Sequence, residues 1–238
     1  MNRREERNKT KFKKMRMLMA GMAACSVIAA NVTTSTAFAY NRDKAVDYAE
    51  KYWSTRNSEY DSFDNDCTNF ASQVLKAGGY SVKAIPSADV SYFDLGTTYK
   101  TKTYWCNKTY TKKLAGVFVR TDFVTTTTWN NVDQLAGSSF YGLQDYMMNQ
   151  LGKTRYSWGI SDDSIDKLAE KAKKGDIIQV AKAGSRFSHT YVVGKVKNGK
   201  VYVYAHSDNR DASPEDELKE MRKNGVFKNY ALIALIKA

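Results

Sequence analysis

Two adjacent residues in the last third of this chain, Asn198 and Gly199, constrain its fold more than any others. They stand between residues 188–197 and 200–206, both runs of β-branched and aromatic side chains. Asn-Gly between such runs predicts a two-residue β-hairpin. Runs of the same character at 176–181 and 230–236 predict further strands, so this part of the chain reads as a mostly antiparallel sheet. With a two-residue turn, Lys197 pairs with Lys200. Strict counting then sets Val193 opposite Tyr204, Tyr191 opposite His206 and His189 opposite Asp208, all six on one face.

Ahead of the sheet the apolar period is helical. Ala45, Tyr48, Ala49, Tyr52 and Trp53 recur at spacings of three and four within 42–54, with Asn41 placed to cap the start. Phe70, Ala71, Val74 and Leu75 mark a second helix over 67–76, preceded by Asp64-Asn65-Asp66 and closed by Gly78-Gly79. Helical patterns return at 139–150, 163–173 and 215–223. Residues 80–131, rich in Thr, Tyr and Lys, read as loops and short strands, with Tyr92, Tyr99, Tyr104, Trp105 and Trp129 available for substrate or core. The pattern predicts an α+β domain with helices packed on the sheet.

The first 39 residues read as a leader. A basic stretch at 3–16, an apolar run at 17–32 and a polar segment end in Ala37-Phe38-Ala39, the order of a secretory signal peptide with its cleavage site. The apolar run is shorter than the ~20 residues of a spanning helix. Export, to the extracellular space or the cell wall, is therefore expected, with residues 40–238 as one domain and no transmembrane helix in the mature form. The leader holds 8 of the 37 basic and 2 of the 25 acidic residues, so half of the net charge of +12 goes with it. The remaining basic excess suits an anionic wall polymer as neighbour. No basic-aromatic block points to nucleic acid.

Beyond the leader only Cys67 and Cys106 remain. One disulfide would be the ordinary use of two exported cysteines, yet Cys67 opens a predicted helix, where unpaired amides favour the thiolate that attacks carbonyls. Those amides could also hold the oxyanion formed on attack. A thiolate nucleophile needs a base, and the two histidines, His189 and His206, both fall on the predicted hairpin. No CxxC pair is present, and the acidic run Asp208, Asp211, Glu215, Asp216 lacks calcium-loop spacing. This chemistry requires neither metal nor cofactor.

These residues carry a resemblance. Asp66-Cys67-Thr68-Asn69-Phe70-Ala71-Ser72-Gln73, running into Ala77-Gly78-Gly79, resembles the nucleophile segment of the bacterial putative amidase domain family, a branch of the papain-like NlpC-type cysteine peptidases. Tyr40-Asn41-Arg42, Trp129, Gly175-Asp176-Ile177-Ile178-Gln179, Ser188-His189 and Tyr204-Ala205-His206-Ser207-Asp208 resemble further segments in the same order. The resemblance implies a papain-like NlpC-type fold with the nucleophile helix packed on the sheet. It implies Cys67 as nucleophile, His189 as base, and His206 or Asp208 as the polar group that orients it. The implied substrate is an amide, a cell-wall peptide foremost. A non-catalytic wall-binding module that keeps the fold is the rival from another class.

N-terminal sequencing of secreted material should find Tyr40 first. A chain beginning at a lipid-modified Cys25 would contradict the leader assignment.

Overall fold

A computed structural model of the protein describes residues 39–132, 142–206 and 216–238. In chain order its helices are α1 (Arg42–Tyr52), α2 (Cys67–Ala77), α3 (Thr127–Asn130), α4 (Leu143–Asn149), α5 (Asp162–Lys171) and α6 (Leu218–Lys223). Its strands are β1 (Thr97–Tyr99), β2 (Asn107–Leu114), β3 (Phe118–Thr126), β4 (Arg155–Gly159), β5 (Ile177–Lys182), β6 (Phe187–Lys197), β7 (Lys200–Tyr204) and β8 (Tyr230–Ile236). Among the described residues no helix is long and apolar enough to cross a membrane.

Five strands pair in the order β4-β8-β5-β6-β7, every neighbour antiparallel. Both faces of this sheet are covered. On one, Ile177, Val192, Tyr204 and Ile236 pack against Ala45 and Ala49 of α1 and Phe70, Val74 and Leu75 of α2. On the other, Ile178, Val180, Tyr191, Val193 and Val203 meet Ile165 and Leu168 of α5 and Leu218 and Met221 of α6. Strands buried on both faces read as unbroken apolar runs, as Ile233–Ile236, the buried part of β8, does.

Each inner helix has a local reason to start where it does. Asn41 Oδ1 accepts the Lys44 amide at 2.9 Å, as its cap position predicts. Arg42 then anchors α1 to the sheet through Asp176, a fully buried carboxylate just before β5. Arg42 Nη1 reaches Asp176 Oδ1 at 2.7 Å, Lys237 Nζ bonds Oδ2, and the amides of Lys173 and Ala238 add 2.9 and 3.0 Å bonds. A carboxylate withdrawn from water needs that many donors.

Residues 80–131 are more regular than expected. β2 and β3 form a hairpin of eight and nine residues, and β1 adds in parallel to give the order β1-β3-β2. Only Asn107, Tyr110 and Val124–Thr126 of the hairpin are buried, so most of its side chains are polar and the alternation is faint. β4, buried on alternate residues only in part, is also absent from the sequence reading.

The predicted turn is present, but the register beyond it differs. Asn198 and Gly199 take φ of 52° and 73°, as a type I′ turn requires, and Lys197 pairs with Lys200. Pairing continues through Lys195 with Tyr202, then resumes at Val193 with Val203 and Val192 with Tyr204. Gly194 is the extra residue, a β-bulge. A Cβ there would lie 2.5 Å from the Tyr204 ring, so the bulge and the glycine go together. The strict count of Val193 opposite Tyr204 and Tyr191 opposite His206 is therefore corrected by one residue, and a one-residue slip exchanges the faces. The expected partner of His189, Asp208, lies outside the described residues.

Gly194→Val should cost about 1–3 kcal/mol in urea unfolding, because Tyr204 must leave its seat. Gly159→Ala, whose new methyl meets nothing closer than 3.8 Å, should stay within about 0.5 kcal/mol. Equal effects at the two positions would contradict the bulge account.

Candidate active site

The turn before α2 is organised by one side chain. Asp66 is only 2 % exposed. Its Oδ1 accepts the Phe63 amide at 3.1 Å and Asn69 Nδ2 at 2.8 Å, while Oδ2 meets Arg56 Nη1 at 2.7 Å and His206 Nδ1 at 2.8 Å. An ionised carboxylate only accepts, so the His206 Nδ1 carries the proton in that contact. Asp66 occupies the cap position of α2 but makes no side-chain bond to the first-turn amides.

Cys67 follows as the first residue of α2. It is buried, with Sγ 3.7 Å from Thr68 Oγ1. Burial pushes the thiol above its ordinary pKa and the Asp66 charge adds to that. The Thr68 hydroxyl and the Thr190 and Thr68 amides act in the opposite direction without reversing it. The helix start alone predicts a thiolate; in the folded protein, burial outweighs it and the resting group is a thiol. Thr68 Oγ1 lies 3.0 Å from Thr190 Oγ1, which also accepts Gln179 Nε2 at 3.2 Å. The turn that carries Cys67 is thus fastened to β5 and β6.

The two histidines are divided between the sheet faces. Thr190 points at α2, and His206, two residues past Tyr204, lies on that side with its ring centroid 5.4 Å from that of Phe70. His189 pairs with Val180 in the register, and its ring meets edge-on at 4.5 Å that of Tyr191, which belongs to the core under α5 and α6. Cys67, Asp66 and His206 therefore share the α2 side. The structure does not place His189 and His206 on one face, as the strict register had them, and the Gly194 bulge is the cause.

Beside the thiol is an open cavity of about 650 Å³, lined among others by Phe63, Asn65, Cys67, Asn131, Arg186 and Ser188. The aromatics proposed for stacking divide. Trp105 and Trp129 are core, 1 % and 0 % exposed, whereas Tyr92, Tyr99 and Tyr104 are partly exposed. Cys67 and Cys106 are both free thiols, so the disulfide alternative is not formed. Among the described residues no group of three or more His, Cys, Asp or Glu could hold a metal ion.

Sequence reasoning missed the polar stripe of α2. Asn69 Oδ1 accepts Trp129 Nε1 at 2.7 Å, Ser72 Oγ donates to the Trp129 carbonyl at 2.7 Å and accepts Trp105 Nε1 at 3.2 Å, and Gln73 Oε1 accepts the Tyr48 hydroxyl at 2.7 Å. The signal was present as Asp66, Asn69 and Ser72-Gln73, polar residues at helical spacing in an otherwise apolar segment.

Helices on both faces of an antiparallel sheet, with a cysteine at the start of the most buried one, define the class as mixed α+β with a candidate thiol site. Residues 39–230 match the family described as "Putative amidase domain", and the chain belongs to that family. It is 30 % identical over 190 residues to uncharacterized protein YjcM of Bacillus subtilis (strain 168), 78 % of this chain and 35 % of that protein. It is 51 % identical over 51 residues to uncharacterized protein YhbB of the same strain, 21 % of this chain and 16 % of that protein. The chain thus spans about a third or less of these relatives. No solved structure matches.

Asp66→Asn should cost about 1.5–3 kcal/mol, since charge-assisted bonds from Arg56 and His206 are lost. Exposed Asp64→Asn should stay within about 0.5 kcal/mol. The thiol shift gives a second test. Iodoacetamide should modify Cys67 more slowly in the native protein than in urea, with the native rate climbing as pH rises through the alkaline range. Because the folded state holds this proton more tightly, its contribution to stability is complete below the unfolded thiol pKa of ~8.5 and declines above it. Native modification as fast as in urea at neutral pH would contradict a buried, protonated thiol.

Proposed function

We propose that the protein is a secreted cysteine amidase or peptidase that hydrolyses amide bonds, foremost in cell-wall stem peptides, with Cys67 as nucleophile. The observation that carries this reading is the position of Cys67, at the first turn of a helix with an open cavity beside the sulfur. Membership of an amidase family supports it. The arrangement of a nucleophile helix on an antiparallel sheet is also what the papain-like NlpC resemblance implies.

A thiol that rests protonated must lose its proton as it attacks. An imidazole accepts that proton, the sulfur adds to the amide carbonyl, and first-turn amides of α2, which the Asp66 side chain leaves unbonded, hold the oxyanion. The imidazolium then protonates the departing amine, and water cleaves the thioester.

Two specific observations favour different imidazoles. His206 lies on the α2 side and is oriented by Asp66 through Nδ1, the relation of a base to its carboxylate. His189, the base that the resemblance implies, immediately precedes Thr190, whose backbone amide acts on the Cys67 sulfur. The geometry favours His206 with Asp66 as its partner.

Digestion of purified peptidoglycan, with products identified by mass, tests the activity and the bond together. Cys67→Ala should abolish release of new amino termini while keeping the native melt; full activity in that variant would overturn the proposal. His206→Gln should lower turnover by about 10²–10⁴ if it is the base. If His189→Gln causes that loss and His206→Gln stays within a few-fold, the resemblance names the base and the geometric assignment fails. Retention on wall material with no products from the native enzyme would favour the binding module.

A further inference from the structure

Four of the eight large apolar side chains exposed among the described residues fall within six positions at the tip of the β2–β3 hairpin. Leu114 is 37 % exposed, Val117 75 %, Phe118 63 % and Val119 59 %. An aqueous surface scatters such residues singly; a cluster indicates a partner. The turn is built to project them. Ala115 and Gly116 take φ of 51° and 74°, the Val117 amide donates to the Leu114 carbonyl at 3.2 Å, and Leu114 pairs with Phe118.

Directly behind the tip the chemistry changes. Lys112 pairs with Arg120 on the face shared by Leu114 and Phe118, and Lys113 pairs with Val119 on the other. Lys108 lies further back. Asp122, ion-paired with Arg120 at 2.6 Å, is the only acid of β2 and β3, and Lys112 also reaches the Ser87 carbonyl. The hairpin therefore carries a net positive collar one residue behind an apolar tip.

We propose that this hairpin is a membrane-docking element, its tip entering the headgroup–acyl boundary of an anionic bilayer while the collar pairs with lipid phosphates. A strand advances ~3.4 Å per residue, so the tip extends beyond the collar by the few ångströms over which interfacial segments bury their apolar face. A wall polymer would satisfy the lysines and leave four apolar side chains in water. The bilayer satisfies both. This inference is independent of the catalytic reading, because the hairpin tip contributes nothing to the Cys67 cavity.

The test places an added indole at the tip. Phe118→Trp in the full chain is mixed with vesicles of phosphatidylcholine and phosphatidylglycerol carrying brominated acyl chains, and the unsubstituted chain is measured in parallel. The local readout separates the hairpin from the leader. An extra quenched component is expected with phosphatidylglycerol present, and it should weaken as salt is raised. Lys112→Glu with Lys113→Glu should lower vesicle affinity at the tip by about tenfold or more, at an unchanged far-ultraviolet spectrum. Should that double variant lose its fold, the salt dependence decides. An unquenched added indole would overturn the proposal, as would quenching equal on neutral vesicles and insensitive to salt. An indole shielded instead by a concentration-dependent dimer would assign the tip to a second copy of the chain and overturn it too.

Discussion

A carboxylate cut off from water has to be surrounded by donors, and the requirement of Asp66 shapes the region around the thiol. Its two oxygens draw in the Phe63 amide, Asn69, Arg56 and His206, which come from the preceding loop, the helix itself and the end of the hairpin. None of the four can move away without leaving charge unsatisfied, at a cost of about 1–3 kcal/mol or more for each lost partner. The first turn of α2 is thereby fixed relative to the sheet. Cys67 inherits that position, and its chemistry follows from it.

Asp176 plays the same physical role at the other end of the α1–sheet contact. With Arg42 and Lys237 it ties the helix and the segment after β8 to the start of β5. Between the two carboxylates, α1 and α2 are held on one sheet face by polar clamps and by the apolar layer of Phe70, Val74, Val192 and Ile236. The result is a buried helix whose polar side chains all have work in the fold. Asn69 and Ser72 hold the indoles of Trp129 and Trp105, so the segment that resembles a nucleophile motif is also the scaffold of its surroundings.

The elements that were legible in the sequence are those with a strong local signal. Asn41 announced α1, the 67–76 periodicity announced α2, the Asn198-Gly199 turn formed as expected, and the final apolar run became Tyr230–Ile236. β2 and β3 were not legible, since a mostly solvent-exposed hairpin of Thr and Lys lacks the apolar alternation that reveals strands. The relation between the two histidines was lost at a single residue. Gly194 looks like any glycine in the sequence, yet with the Tyr204 ring over it the strand takes in one extra residue, and everything beyond changes face. The positions of Cys67 and His206 near Asp66 depend on contacts between residues far apart in sequence, which no local pattern carries.

The proposed function requires that Cys67 become covalently attached to the acyl half of an amide substrate. Acid quenching of the protein during incubation with wall peptides, followed by mass analysis of the peptide that contains Cys67, tests this directly. The account predicts an adduct of the acyl fragment on Cys67 that hydroxylamine removes, as it does a thioester. Rapid turnover with the Cys67 peptide always unmodified, and an adduct or none at all elsewhere, would contradict it.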